Sequence, residues 1–326
     1  MSASLRALRR RILTPSTSAV SLDKRGFHKK DPAAQKLLES VGLGFLEGYG
    51  HAVEARTLAE MEHRLAGVPM ELRGFAYEGA AMGCTMLDAL PGSSGRRLAG
   101  LLSGEGRHHI YMAYVGIGWA MARLPRFMWP DLTRTSPLLR WLILDGYGFH
   151  QAYFSTEKYV HGQFQDPSFP WRAGPASYVH RAIDQGIGRA LWFVGGTDAD
   201  VVVTLIEGFP EGRRPDLYGG AGLAATYAGG AEEAELSRLL ERSGRHRSRV
   251  QQGAAFAAEA REKAGVTVAH THLATRVLCR MDPEAAARLC RETCPPDSPA
   301  TGGYAYEEWR QRIVDTFVSQ GGAGTS

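Results

Sequence analysis

The sequence predicts an all-α fold: a tetratricopeptide-like array of about seven degenerate helical hairpins, each ~34 residues long. Three observations carry that expectation. Apolar residues recur at i, i+3 and i+4 through most of the chain, while strand-like alternation is scarce. A short motif (Gly, any residue, then Gly or Ala) returns seven times inside those helical stretches. Glycine pairs stand at a fixed distance beyond two of the motifs, where a first helix would end.

In chain order, residues 1–30 come first as a basic segment, with eight Lys/Arg against Asp23 alone. Leu5, Leu8 and Ile12 are spaced as on a small amphipathic helix. Its arginines, Arg9, Arg10 and Arg11 among them, suit either plain solvation or docking on an anionic membrane face or an acidic partner. A single helical-repeat domain is expected over 31–320, with a disordered tail at 321–326. Helical spacing runs through Ala33–Arg64, Gly74–Leu90, His108–Leu124, Pro137–Tyr159, Tyr178–Gly195, Glu232–Gly244, Val250–Gly265 and Tyr304–Val318. Asp198 reads as the N-cap of an apolar helix stopped by Gly208 and Pro210, although Val201–Thr204 alone would also suit a strand. Six prolines from Pro125 to Pro175 imply loops in place of second helices in the middle repeats.

The first glycines of the seven motifs are Gly48, Gly79, Gly116, Gly146, Gly186, Gly220 and Gly253, at separations of 31, 37, 30, 40, 34 and 33 residues. That spacing is the period of helix–turn–helix repeats. Glycine inside a helix costs roughly 1 kcal/mol relative to alanine, so seven such placements need a compensating reason. Small residues on one face of each first helix, letting neighbours approach closely, would supply it. Gly195-Gly196 and Gly229-Gly230 each lie nine residues past a motif glycine, as helix ends would.

Composition narrows the function classes. Hydrophobic residues at 44% and charged residues at 22% allow an ordinary globular core. The net charge of +4 resides in the first 30 residues, and the remainder sums to −3, which argues against a nucleic-acid groove on the body. The longest uncharged apolar run, Ile110–Ala122, stops at Arg123, short of the ~20 residues a membrane span needs. Cys84, Cys279, Cys290 and Cys294 are too few and too irregular for a disulfide scaffold, and favour a reducing, cytoplasmic setting. Together with His270 and His272 they match no ordinary zinc spacing, so no metal is expected. No phosphate loop, nucleophile elbow or dinucleotide fingerprint occurs, and the residues name no cofactor.

Chemistry points to the middle of the chain. Residues 111–193 hold 17 of the 30 aromatics, which suits a pocket for a flat, apolar, conjugated ligand. His180 and Asp184 are four apart on one helix, so the carboxylate is expected to orient the imidazole. Asp145 and His150 come from the preceding glycine helix. These four are the expected acid/base residues of one cavity. Trp119, Trp141, Tyr147, Tyr153, Arg181, Gln185, Arg189 and Trp192 are the expected substrate-binding residues around it. The alternative is that such His–Asp pairs only satisfy each other in a core. His108-His109 reads as a helix start facing solvent.

Several long segments carry a resemblance: RGFAYEGAAMG (73–83), WAMARLPRFMW (119–129), LILDGYGFHQAYF (142–154) and YVHRAIDQGIGRALWFVGG (178–196). They resemble the enediyne biosynthesis proteins of the domain-of-unknown-function 1702 family, from Leu5 to about Phe317. The resemblance implies a bacterial protein acting on a linear conjugated polyene from the enediyne polyketide synthase. It also implies that synthase, a membrane-protein partner and a propeller-like protein as companions, and it implies no catalytic residue. Two roles follow: an enzyme component that processes the polyene, or a helical-repeat scaffold or carrier that binds it or docks those companions. The basic start leaves room for peripheral contact with the inner face of the membrane.

Overall fold

The computed structural model describes residues 16–132, 135–297 and 304–322. Arg9, Arg10, Arg11 and most of the 321–326 tail lie outside them. After a single turn at Leu22–Arg25, fourteen helices follow: α1 (Pro32–Glu54), α2 (Leu58–Ala66), α3 (Met70–Asp88), α4 (Arg97–Ser103), α5 (Ile110–Arg123), α6 (Trp141–Phe154) and α7 (Val179–Val194), then α8 (Ala199–Glu207), α9 (Arg214–Ala228), α10 (Glu233–Arg242), α11 (Arg247–Lys263), α12 (Ala269–Cys279), α13 (Pro283–Thr293) and α14 (Ala305–Gly322). Among the described residues there is no strand, and no helix is long and apolar enough to cross a membrane.

Local chemistry sets the helix ends. Asp31 caps α1, accepting the Ala33 and Ala34 N–H groups, with Pro32 at the first helical position. The stretch with helical spacing over Ala33–Arg64 forms two helices, because Ala55 is extended and Thr57 caps α2 by accepting the Glu60 N–H. Asp198 caps α8, so Val201–Thr204 is helical. Gly196 (φ 60°), Gly229 (φ 76°) and Gly230 (φ 94°) take the positive angles that turn the chain after α7 and α9.

The motif helices α1, α3, α5, α6, α7, α9 and α11 pack one on the next in chain order. Connecting helices make shorter rows of their own, α2 with α4 and α8 with α10 and α12. Between α5 and α6, and between α6 and α7, only single turns occur among the described residues, as the prolines imply.

The glycines work differently from the expected one-faced stripe. Residues i and i+2 of a helix are about 200° apart, so Gly-x-Gly puts one glycine on each of two opposite faces. In α5, Gly116 abuts the Glu78 carbonyl of α3, and Gly118 abuts the Ile143 carbonyl of α6. In α7, Gly186 abuts Asp145 of α6, and Gly188 abuts Leu217 of α9. The same alternation holds at Gly146 and Gly148 and at Gly220 and Gly222. Each helix thus meets both neighbours backbone to backbone, close enough for Cα–H···O contacts.

The row curls until α3 touches α9 and α11. Phe75 packs edge-on against Tyr227 with centroids 5.1 Å apart, and buried Arg261 donates to the Tyr227 carbonyl (2.6 Å) and the Glu71 carbonyl (3.1 Å). The segment before α1 packs across the C-terminal ends of α6 and α7, where the His28 N–H donates to the Val194 carbonyl at 2.9 Å. Helix α14 is pinned by Arg310, fully buried, which donates to Asp216 (2.7 Å), the Tyr178 hydroxyl (2.9 Å) and Gln252 (3.1 Å).

Candidate functional site

Inside the curled row lie two narrow apolar cavities that share one polar wall residue, Arg189. The first, about 50 Å³, is walled by Phe45, Tyr49, Trp119, Phe149, Tyr153 and Phe154, with Glu78 and Arg123 on its lining. The second, about 40 Å³, is walled by Tyr111, Tyr227, Phe256, Tyr306 and Trp309, with Asp145 and Glu259 on its lining. Each has room for several water molecules.

The seam between them is built by the glycine crossings. Gly186 seats α7 on α6 beside Asp145, and Gly220 seats α9 against Gln185 and Arg189. The buried Arg189 guanidinium therefore pairs with Asp145, and the Gln185 side-chain amide donates to Asp145 (2.7 Å) and to the Tyr306 hydroxyl (3.0 Å). Glu78 is buried on the wall of the first cavity, within reach of the Arg189 charge. Burial pushes its carboxyl up to about 7, against the pull of Arg189 and with the push of Asp145. The Trp119 indole N–H, which faces the same carboxyl, pulls it the other way.

Glu78 was not among the residues the sequence singled out. The signal was present: the residue just before the first motif glycine is an acid or amide at Glu47, Glu78, Asp145, Gln185 and Gln252. Glu78 is also the one charge in the apolar run from Gly74 to Leu87.

The structure distributes the expected site residues instead of gathering them in one cavity. Asp184 does not hold His180. Its buried carboxylate takes the Arg213 fork at 2.9 and 2.5 Å, a two-pronged match an imidazole cannot offer. Burial still holds that carboxyl up, at about 6. His180 is half-buried, and burial lowers its pKa, with the Arg213 charge adding to the effect and Asp166 opposing it. His150 is pushed down to about 3 by burial and packs edge-on to Trp119 at 5.4 Å. Trp141 packs at a tilt against Trp171 and edge-on to Tyr178, and Trp192 donates to the Gly229 carbonyl at 2.9 Å, so both serve the core. The Tyr147 hydroxyl accepts from Gln151, and Arg181 bridges Asp216 and Glu307. Trp119, Tyr153 and Arg189 do line the first cavity, and Asp145 lines the second. His109 is buried, not solvent-facing: it stacks on Tyr77 at 4.1 Å and is pushed down to about 4.

A third, open groove of about 650 Å³ lies along the links between α5 and α6 and between α6 and α7, lined by Arg126, Phe127, Trp129, Arg140, Trp171 and Arg172. Phe127 is 87% exposed there. Among the described residues no group of three His, Cys, Asp or Glu side chains is placed to hold a metal ion.

Residues 4–317 match the model of a family described as a protein of unknown function, DUF1702. No curated protein and no solved structure matches the chain.

Proposed function

The chain belongs to the DUF1702 family, and from that premise we propose that it is a cytoplasmic component of enediyne biosynthesis that binds and processes a linear conjugated polyene. The motif resemblance supports the pathway and its companion proteins. The ligand reading is supported by one observation above the others: an aromatic-walled cavity with a buried carboxyl and a fixed arginine on its lining. A conjugated chain is slender and apolar, so aromatic burial supplies its affinity. Because the resting cavities are narrow, its admission requires their side chains to give. The array itself fits a degenerate tetratricopeptide-like stack.

In this reading Glu78 is the proton-transfer group, since a carboxyl titrating near neutrality suits both giving and taking a proton. Arg189, anchored by Asp145, fixes the field at that carboxyl. A proton given to one carbon of the chain and one taken from another would move double bonds without an oxidant. Incubation with the synthase-derived polyene in D₂O, alone and with the two companion proteins, tests this by mass spectrometry. Wild type should return product carrying deuterium, and Glu78→Gln should return the polyene unlabelled. Unlabelled, unchanged polyene from both proteins would leave carriage as the role. The carrier-and-scaffold reading has its own support in the exposed Phe127 of the open groove, where a partner helix would replace the missing second helix.

A further inference from the structure

Among the described residues two guanidinium groups lack counter-ions, one on the lining of the first cavity and one against the outer side of its wall. Arg123, the last residue of α5, lines the cavity, is exposed, and makes no ion pair or hydrogen bond among the described residues. Arg25 stands 5.2 Å above the ring of Phe154, which is part of the cavity wall, and its Nε is buried without an acceptor. Glu39, whose charge reaches Tyr153 from the same side, is already engaged by the Leu22 N–H (3.0 Å) and the Gln35 amide (3.1 Å). His150 is buried beside Phe154, with ring centroids 4.7 Å apart, and its Nδ1 has no hydrogen-bond partner among the described residues. Two unpaired cations and an unpaired imidazole nitrogen thus stand on and just behind the wall of an apolar chamber whose own acid, Glu78, is already held beside Arg189.

Unpaired donors next to aromatic walls suit one kind of occupant. An arginine fork matches a carboxylate in geometry and charge, and burying an orphaned N–H without an acceptor is unfavourable. Glu78, on the same lining, disfavours an anion near its own carboxyl. We propose that the rim of the first cavity, at Arg123, Arg25 and His150, receives a carboxylate, so that the ligand is an apolar chain with an anionic head, oriented with its tail toward Glu78. This rests on the reading of the first cavity as the ligand site. It adds what the chain must carry and which way it points.

Parinaric acid, a fluorescent conjugated tetraene with a terminal carboxylate, is a direct probe, with its methyl ester as the uncharged comparison. The full chain should bind the acid at least tenfold more tightly than the ester at low salt. That preference should shrink in 0.5 M salt, because an exposed guanidinium is screened there. The double variant Arg25→Gln, Arg123→Gln should bind both ligands alike, with ester affinity unchanged as evidence of an intact cavity. Arg126→Gln, Arg172→Gln, in the open groove, should keep the wild-type preference. Equal binding of acid and ester by wild type overturns the carboxylate and leaves the polyene cavity standing. Loss of the preference in the groove variant instead moves the head group to that groove and overturns the rim. Binding of neither ligand overturns both the rim and the cavity reading, and the wild-type comparison does not depend on any variant folding.

Discussion

Gly186 and Asp145 meet backbone to backbone: a Cβ on Gly186 would stand 2.7 Å from the Asp145 carbonyl carbon. The same Asp145 turns its carboxylate to Arg189, three residues beyond Gly186 on the facing helix. One close crossing therefore fixes both the helix spacing and the buried ion pair between the cavities.

Gly186→Ala tests that crossing. Alanine gains roughly 1 kcal/mol of helix propensity, but its methyl group must push α6 away and disturb Asp145. A net loss of about 3 kcal/mol or more in urea unfolding is expected. Gly212→Ala, at a site with nothing within 4 Å, should change little. Equal midpoints for the Gly186 variant and wild type would show that the crossing yields.

Glu78 links the cavity to stability. Its folded carboxyl sits at about 7, against an ordinary 4.5, so the folded protein holds a proton that the unfolded chain releases. The stability tied to that proton is complete below pH 4.5 and is lost as pH rises through about 7. Above that the ionised group costs roughly 3 kcal/mol. Glu78→Gln should therefore raise the Tm at pH 8 and change it little at pH 4. A gain of the same size at both pH values would mean the carboxyl does not titrate in that window.

His109 has the opposite dependence. Burial holds it at about 4 against an ordinary 6.5, so the unfolded chain binds a proton that the folded ring refuses. Stability is lost as pH falls from 6.5 toward 4, by about 2 kcal/mol at pH 5. His109→Phe keeps a ring on Tyr77 and cannot titrate. Its Tm relative to wild type should be higher at pH 5 than at pH 8, and a constant difference would remove the effect.

The elements most legible in the sequence were those determined by near neighbours in the chain. Helical spacing marked most of the motif helices, the Gly195-Gly196 and Gly229-Gly230 pairs marked where two of them end, and Pro125 to Pro175 marked the links that hold only single turns. What escaped depends on partners far along the chain. Asp184 looked one turn back to His180, but its partner is Arg213, 29 residues on, because α9 returns beside α7. The two-faced use of Gly-x-Gly follows from helix geometry alone and was within reach. Glu78 was hidden for another reason: a lone acid in an apolar run gains meaning only when the curl of the row sets it beside Arg189 and Asp145. Nothing in local spacing announces that curl.

Arg261 reaches from α11 to the carbonyls of Glu71 and Tyr227, and so joins a late helix of the row to an early one. An open solenoid can lose or gain a unit at its end, because each unit answers only to its neighbours. A row fastened back onto itself cannot. Remove one motif helix and the fastening no longer spans the gap; add one and it overshoots. The number of units here is set like the staves of a cask, by the hoop. Such a molecule should take up extra length in its loops, of which the link between α6 and α7 is a long one, and not by duplicating a repeat.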